Sequence, residues 1–520
     1  MSHLLNAGAA LARNAKLFPA MVGARDLDRS MTFAIWNERA CRLANGLLGL
    51  GLAKGDRVAV LAYNCLEWVE IYAATAKAGL VAVPINFRLV ASEIRYIVEN
   101  CEAAALIVQD ELLGPIEEIR TTLPISPDNY IHFGRSACPA GFRSYEGLLA
   151  MARDREPGVE VLPGEPWTLM YTSGTTGKPK GAIRSHNGNA LMSLVAGVEF
   201  GISKRDTALL VMPMCHANSL FCFGAFSFLG GTCSIYSRKN LDPEHLVRTL
   251  AGDGATFTSL VPTHYIMMLG LSASVRENYN VDKVSKLVIS SAPARRETKL
   301  AIMEFFKNSD LFEFYGSTEA GWVTVLHPDE QFTRLGSVGR ECIGSAPIKL
   351  LDENGNDVRE GEAGELYSCN PHTFDGYWKL PDKTREAFRG EYCTVGDLAR
   401  RDADGYIHLV DRKSNMIISG GENIYPSEVE SLLGSHQNVK DVAVIGIPDK
   451  KWGERVHAVI IMRDGTSSSP EELLEWCKNR IAGYKRPRSV SIIREEEMPR
   501  TATGKILHRH LRAKYAISAN

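Results

Sequence analysis

The eleven residues YTSGTTGKPKG, Tyr171 to Gly181, gather hydroxyls, glycines and two lysines in a chain whose composition is otherwise ordinary. Gly174 and Gly177 let backbone amides approach an anion, Thr172, Ser173, Thr175 and Thr176 add hydroxyl donors, and Lys178 and Lys180 bring positive charge. Such a stretch suits phosphate. It is not a P-loop, because the two glycines are only three apart and Pro179 follows Lys178 where Ser or Thr is required. Taken alone it fits a polar surface turn equally well.

Three further constellations carry candidate chemistry. In FEFYGSTEAG (312–321) an aromatic run breaks at Gly316 into Ser317, Thr318 and Glu319, whose carboxylate is either a hard oxygen ligand for magnesium or a solvated surface charge. In GDLARRDADGYIHLVDR (396–412), Asp404-Gly405 signals a two-residue hairpin turn with Ala403 facing Tyr406. That register sets Asp397 opposite Arg412, as a binding pair or as a cross-strand salt bridge, provided no bulge intervenes. In PRTATGKILHRHL (499–511), Lys505 follows a Thr-Ala-Thr-Gly turn and precedes Ile506, Leu507 and Leu511, the start of an apolar helical face. A lysine there is ordinarily a solvated helix-end charge.

These residues need elements to hold them. WTLMY (167–171) reads as a buried strand, and Leu191, Leu194, Val195 and Val198 as a helical face, which sets the glycine-rich stretch between strand and helix. LFCFGAFSFL (220–229), ending at Gly230-Gly231, has the length of a buried core helix, not of a transmembrane span. DVAVIGI (441–447) and RVHAVIIM (455–462) read as strands; SPEE (469–472) resembles a capping box with proline at the first helical position, opening a helix with Leu473, Leu474, Cys477 and Ile481 inward. The N-terminus, with Arg13, Lys16 and Arg25 and no acidic residue before Asp26, suits a transit peptide or an opening helix; Leu4, Leu5, Leu11 and Leu17 favour the helix.

The 520 residues, 45% hydrophobic and 23% charged with a formal net charge of -2, describe a multi-domain globular protein and exclude a nucleic-acid coat. The 11 cysteines are scattered and never form a CxxC pair, which points to a reducing, cytoplasmic setting without structural zinc.

Together the four motifs, in this order and over nearly the whole chain, resemble the adenylate-forming superfamily of acyl-CoA synthetases, firefly luciferase and the adenylation domains of peptide synthetases. The resemblance implies an acetyl-CoA-synthetase-like α/β fold: a large N-terminal domain of two α/β subdomains plus a small β-barrel over 1–412, a hinge at 413–416 and a small mobile α+β C-terminal domain over 417–520. It implies ATP, Mg2+ and coenzyme A as cofactors. Thr172, Ser173, Gly174, Thr175, Thr176, Gly177, Lys178 and Lys180 would hold the ATP phosphates; Tyr315 would stack on adenine, Thr318 touch the α-phosphate, Glu319 bind magnesium, and Asp397 with Arg412 grip the ribose. Lys505 would bridge the substrate carboxylate and the α-phosphate.

A carboxylate resists attack because its oxygen leaves poorly; adenylation makes that oxygen part of a good leaving group, AMP, and a thiol then takes the acyl group. The thiol implied is that of coenzyme A. YKRPR (484–488) sets Tyr484 beside Arg486 and Arg488, suited to a base and phosphates or to a basic surface turn. By resemblance to CoA ligases Arg88 adds a phosphate contact, Gly420 and Gly421 line the pantetheine tunnel and Trp452 walls it. The acid pocket falls at His216, Ala217, Asn218, Ala292, Gly316, Ala320 and Trp322, with His216 near the acyl carbonyl; on its own, His216 also reads as a core histidine. Bulky Trp322 and polar Asn218 lean toward a medium-chain or aromatic acid. The alternative is a free-standing adenylation enzyme that loads a carboxylic acid onto a carrier protein's phosphopantetheine; CHANS (215–219) lacks the aspartate with which amino-acid-activating relatives bind an amine, which weakens only its amino-acid version. A luciferase-like oxygenase shares the adenylation motifs and stays open, whereas a catalytically dead binding protein is disfavoured by the presence of Glu319, Asp397, Arg412 and Lys505 together. Ser414 stands where relatives carry a hinge Asp or Lys. No nucleic-acid partner and no transmembrane segment are expected, and a homodimer stays open.

Overall fold

The computed structural model describes residues 5–172, 178–290, 294–419, 422–449, 452–478, 480–501 and 504–517. Ser173, Gly174, Thr175, Thr176, Gly177, Ala292, Gly420 and Gly421 lie outside the described residues. The chain forms two compact units, Met1–Pro347 with Ser368–Cys393, and Ile348–Tyr367 with Thr394–Asn520. The hairpin ending at Arg412 falls in the second unit.

The first unit contains an eight-stranded and a nine-stranded sheet. At the heart of the eight-stranded sheet, Arg57–Leu61 runs parallel to both Val81–Ile85 and Ala103–Gln109, three apolar runs buried almost throughout, as parallel strands covered on both faces must be. Strand β1 (Pro166–Thr172) joins it in parallel and pairs antiparallel with β2 (Lys180–Ser185). The element that follows the glycine-rich stretch in sequence is therefore the strand β2, antiparallel to β1, and not a helix. The helix His186–Glu199 begins only after β2, where the Ser185 hydroxyl accepts from Gly188 N–H. Its inner face is Asn189, Met192, Val195 and Ala196, whereas Leu194 and Val198 are exposed, so the apolar face read from sequence is rotated from the one that packs.

In the nine-stranded sheet β3 (Asp310–Ser317) lies parallel to Lys286–Ile289 and antiparallel to β4 (Gly321–Leu326), and the turn between β3 and β4 carries Thr318 and Glu319. A Cβ on Gly316 would fall 2.2 Å from the Gly321 carbonyl oxygen, and Gly321 has φ +70°, so both glycines are required by the closeness of this turn. After an excursion through the second unit, the chain returns to add β5 (Gly376–Tyr377) antiparallel to β2 at the edge of the eight-stranded sheet.

The run at 220–229 lies in the helix Ala217–Leu229, ended by Gly230 with φ +84°. No described helix is long and apolar enough to cross a membrane. The N-terminal segment is the helix Ala7–Leu17: Leu11 is buried, Leu17 exposed, and Asn14 Nδ2 donates to Ser227 O at 2.7 Å.

In the second unit, β6 (Asp397–Arg401) and β7 (Ile407–Arg412) form the expected hairpin by a different route. Arg401 pairs with Ile407 and the Asp402 carboxylate accepts from the amides of Asp404 and Tyr406, so the connection is longer than two residues, with Gly405 at φ +87°. The register shifts once more between Leu398 and Ala399, and this bulge restores Asp397 opposite Arg412. A five-stranded sheet holds the long antiparallel pair Val439–Asp449 and Gly453–Met462. The capping box forms, with Ser469 and Glu472 bonded reciprocally over the helix Pro470–Trp476; Leu473 and Cys477 are buried, Ile481 packs against them, and Leu474 is only half-buried.

β3 is tied to the helix Arg296–Phe305 by Lys299 and Glu313, 2.5 Å apart and both buried, with burial pushing the Glu313 carboxyl upward and Lys299 opposing. Removing one partner strands the other charge. Lys299→Met is expected to cost about 3 to 5 kcal/mol in thermal or urea unfolding, and Lys299→Met with Glu313→Leu to recover most of it; a neutral single variant would show that Glu313 draws its support from elsewhere.

Candidate active site

In the first unit the site is built around Glu319. Its carboxylate is buried, and one oxygen, Oε1, accepts from the Thr172 hydroxyl at the end of β1 and from the Tyr377 hydroxyl on β5, both at 3.0 Å. No described lysine or arginine lies within ion-pair distance of it. A buried anion supported only by neutral hydroxyls fits a hard cation such as magnesium. Beneath it, Arg184 of β2 is almost wholly buried; its Nη1 makes long bonds, 3.4 Å each, to the carbonyls of Thr318 and Glu319, and burial pushes its pKa down to about 10.

Lys180, the first residue of β2, holds its ammonium 4.0 Å from the centroid of the Tyr377 ring. Desolvation lowers its pKa and Glu319 partly restores it. Lys178 lies 5.4 Å over the Tyr96 ring. Tyr315, on β3 just before the turn, is buried.

Three of the expected acid-pocket residues, His216, Ala217 and Asn218, lie at the start of the helix Ala217–Leu229. His216 is its N-cap residue, with Nε2 buried and without a hydrogen-bond partner among the described residues; desolvation, then the nearby Arg88 guanidinium, lowers its pKa to about 4. Arg88 itself is exposed. Ala217 is half-buried against the main core. Asn218 Nδ2 donates to Ser259 Oγ at 2.9 Å and Ser290 Oγ at 2.7 Å. Ala320 is buried, its N–H donating to Ser317 Oγ, and Trp322 is 1% exposed between Phe200 and Phe314, with centroids at 5.0 and 5.5 Å.

The second unit contributes its own cluster. Arg412 Nε lies 2.9 Å from Asp397 Oδ1. Lys505 sits in a tight turn, its N–H donating to Thr501 Oγ1 at 3.1 Å while Thr501 N–H donates to the Lys505 carbonyl at 2.7 Å, and the helix starts only at His508. Its ammonium is held below the usual lysine range by desolvation and then by Arg412, with Asp397 and Asp411 opposing. Its surface is nonetheless exposed, so the desolvation comes from crowding by neighbouring protein, not from a sealed chamber. Elsewhere in this unit the Arg488 guanidinium lies 4.5 Å over the Trp452 ring, Tyr484 is exposed, Arg486 is half-buried, and Lys485 is engaged by Glu428 at 2.8 Å.

The motif reading missed Tyr377 and Arg184. No spacing rule links position 377 to 319, and Arg184 reads as an ordinary strand residue; only the Asp375-Gly376 turn signal before Tyr377-Trp378 marks that segment.

A buried carboxylate suited to magnesium in the first unit, and a lysine in each unit without a carboxylate partner among the described residues, are compatible with an enzyme that handles a nucleotide's phosphates. Residues 10–378 match the AMP-binding enzyme family and residues 428–505 its C-terminal domain. Feruloyl-CoA synthase from an Amycolatopsis species is 34% identical over 97% of this chain and 98% of its own. A long-chain-fatty-acid–CoA ligase of Mycobacterium tuberculosis is 33% identical over 94% of each chain. The solved structure of o-succinylbenzoate coenzyme A synthetase from Bacillus subtilis, in complex with ATP and a magnesium ion, matches with a TM-score of 0.84 and 27% identity over 96% of this chain and 98% of its own. The chain belongs to the AMP-binding enzyme family of the adenylate-forming superfamily. It is an AMP-forming acid–CoA ligase that uses ATP, Mg2+ and coenzyme A, forming an acyl-adenylate and then the thioester.

With a pKa near 4, the His216 ring is neutral throughout the physiological range and can accept or donate one hydrogen bond without changing charge. The His216 imidazole NMR signals, assigned by loss in His216→Gln, are expected to stay flat from about pH 8 down to about pH 5. A midpoint near the unperturbed value of about 6.5 would show a solvated ring.

Proposed function

We propose that the acid activated by this enzyme is a medium-chain or aromatic carboxylic acid, held in a pocket bounded by His216, Asn218, Ala320 and Trp322. The observation that carries this reading is Trp322: an indole wedged between Phe200 and Phe314 directly after the Glu319 turn is a rigid, bulky wall. The relative named for a feruloyl acid supports the aromatic choice, and the long-chain relative marks the competing one. A pyrophosphate-exchange screen over short, medium, long and aryl carboxylates tests it; highest kcat/KM for a long-chain acid would overturn it.

In the first half-reaction the carboxylate attacks the α-phosphorus and pyrophosphate leaves. Glu319 would hold the magnesium, which would supply charge screening at the phosphates; Thr318 and Lys505 would meet the charge growing on the α-phosphoryl oxygens, and Lys178 and Lys180 would hold the departing group. Tyr315 stacks on adenine, and the paired Asp397 and Arg412 grip the ribose. In the second half-reaction the thiol displaces AMP, with Arg88, Trp452, Tyr484, Arg486 and Arg488 receiving coenzyme A; the Arg488–Trp452 stacking supports grouping those two. The domain boundary at 412, the hinge at 413–416 and a cytosolic setting belong to the same reading. Arg512 Nη1 donates to the Ser414 carbonyl at 2.6 Å, so the turn at 413–415 and the helix His508–Ile517 are joined in this conformation. The free cysteines support the cytosol.

Lys505→Ala is expected to lower adenylation by about 10²- to 10³-fold or more while sparing transfer from a supplied acyl-adenylate to coenzyme A, because its charge is aimed at the first transition state. Single-turnover rates of each half-reaction check this, and equal loss in both would remove the assignment. Trp322→Ala is expected to shift relative kcat/KM toward larger acids across a graded series, since loss of the indole opens volume without altering the chemistry. An unchanged profile would place Trp322 outside the pocket.

A further inference from the structure

The segment Asn370–Trp378 touches both halves of the phosphate machinery in the first unit. Toward the β3–β4 turn, Asn370 Nδ2 donates to Ala320 O at 2.9 Å and Phe374 N–H donates to Glu319 O at 2.8 Å. Toward β2, Asp375 N–H donates to Ile183 O at 3.0 Å and Trp378 N–H to Gly181 O at 2.8 Å. Tyr377, buried and directly opposite Ala182, makes the side-chain version of the same connection: its hydroxyl is 3.0 Å from Glu319 Oε1, and its ring face lies 4.0 Å from the Lys180 ammonium.

Tyr377 is itself firmly seated. Its N–H donates to Thr384 Oγ1 at 2.9 Å, and its ring packs edge-on against Phe374 at 4.8 Å. A Cβ on Gly376 would come within 2.8 Å of Thr384 Cγ2, so the approach of the helix Pro381–Ala387 depends on glycine there. A side chain this constrained has little freedom to release either neighbour.

We infer that Tyr377 is a positioning residue that orients the Glu319 carboxylate through its hydroxyl and steadies Lys180 through its ring, coupling divalent-cation binding to capture of the nucleotide's phosphates. A carboxylate with one oxygen fixed by two hydroxyl donors presents its remaining lone pairs in one direction. The cation–π contact sets the lysine beside that carboxylate without neutralising it in an ion pair. The two functions separate chemically: phenylalanine keeps the ring and removes the hydroxyl, whereas leucine removes both.

The inference rests on Glu319 being the magnesium ligand, and the test separates the two claims. Half-saturation for Mg2+ in pyrophosphate exchange is measured for the wild type, Tyr377→Phe, Tyr377→Leu and Glu319→Gln. Binding of Mn2+ in the presence of α,β-methylene-ATP, followed by electron paramagnetic resonance, supplies a readout independent of turnover. Tyr377→Phe is expected to weaken both by roughly 10-fold, as for loss of a hydrogen bond to a charged group, with KM for ATP at saturating Mg2+ changed less than about 2-fold. Tyr377→Leu should weaken cation binding similarly and also raise KM for ATP by about 5-fold or more. Adding Tyr377→Phe to Glu319→Gln should produce no further loss of cation affinity. Wild-type cation affinity in Tyr377→Phe, alongside weakened affinity in Glu319→Gln, overturns the role of Tyr377 and leaves that of Glu319 standing. Wild-type cation affinity in Glu319→Gln overturns both. Should Tyr377→Phe fold poorly by thermal melting, Thr384→Val, which removes the seat of Tyr377 without touching the site, is expected to raise the Mg2+ half-saturation in the same direction, and an unchanged value would equally overturn the inference.

Discussion

A carboxylate taken out of water must find compensation, and at Glu319 the protein supplies neutral hydroxyls instead of a paired cation. Much of the first unit follows from that choice. Thr172 reaches Glu319 from the eight-stranded sheet, the turn that bears Glu319 belongs to the nine-stranded one, and Tyr377 arrives on a strand from a distant part of the chain. Glu319 is thus where the two sheets and the returning segment Ser368–Cys393 meet chemically. The excursion through the second unit has a structural consequence: the chain must come back for its edge strand to complete the support of this one charge. Arg184, behind the turn, bonds to backbone carbonyls and leaves the carboxylate oxygens to the hydroxyls.

The sequence announces the site's chemistry better than its scaffolding. Motif order singles out candidate residues, and Asp397 does stand opposite Arg412, but for a reason only half visible in the sequence. Asp404-Gly405 signals a hairpin correctly, yet the Asp402 side chain captures two amides and lengthens the connection, and a bulge at Leu398-Ala399 takes up the one-residue difference. Bulges leave little trace in composition, so two errors in register cancel. The glycine-rich stretch reads as the entry to a helix because the short strand Lys180–Ser185 alternates weakly and resembles a loop. In the helix that follows, small and polar residues such as Gly188, Asn189 and Ser193 are the buried ones, and an apolar-periodicity argument cannot see a face of that kind. Tyr377 is illegible for a different reason: its partners lie far away in sequence, and only the fold brings them together.

Lys180 in the first unit and Lys505 in the second differ from the ion-paired lysines of the protein. Lys77, Lys286, Lys299 and Lys485 each meet a carboxylate within 2.8 Å or less and serve packing or surface structure. Lys180 and Lys505 have no such partner among the described residues, and desolvation depresses the pKa of both. A lysine left uncompensated and partly stripped of water costs stability in the free protein, and it regains that cost when an anion arrives. Lys180 is held by an aromatic face, which steadies its position without cancelling its charge. Lys505 is held by a backbone turn that fixes its Cα and leaves the ammonium unpaired. The protein has solved the same problem twice, once on a strand and once on a turn. On the proposed assignment both positive charges would be set in position before the phosphates bind, leaving less reorganisation when charge builds on the phosphoryl oxygens.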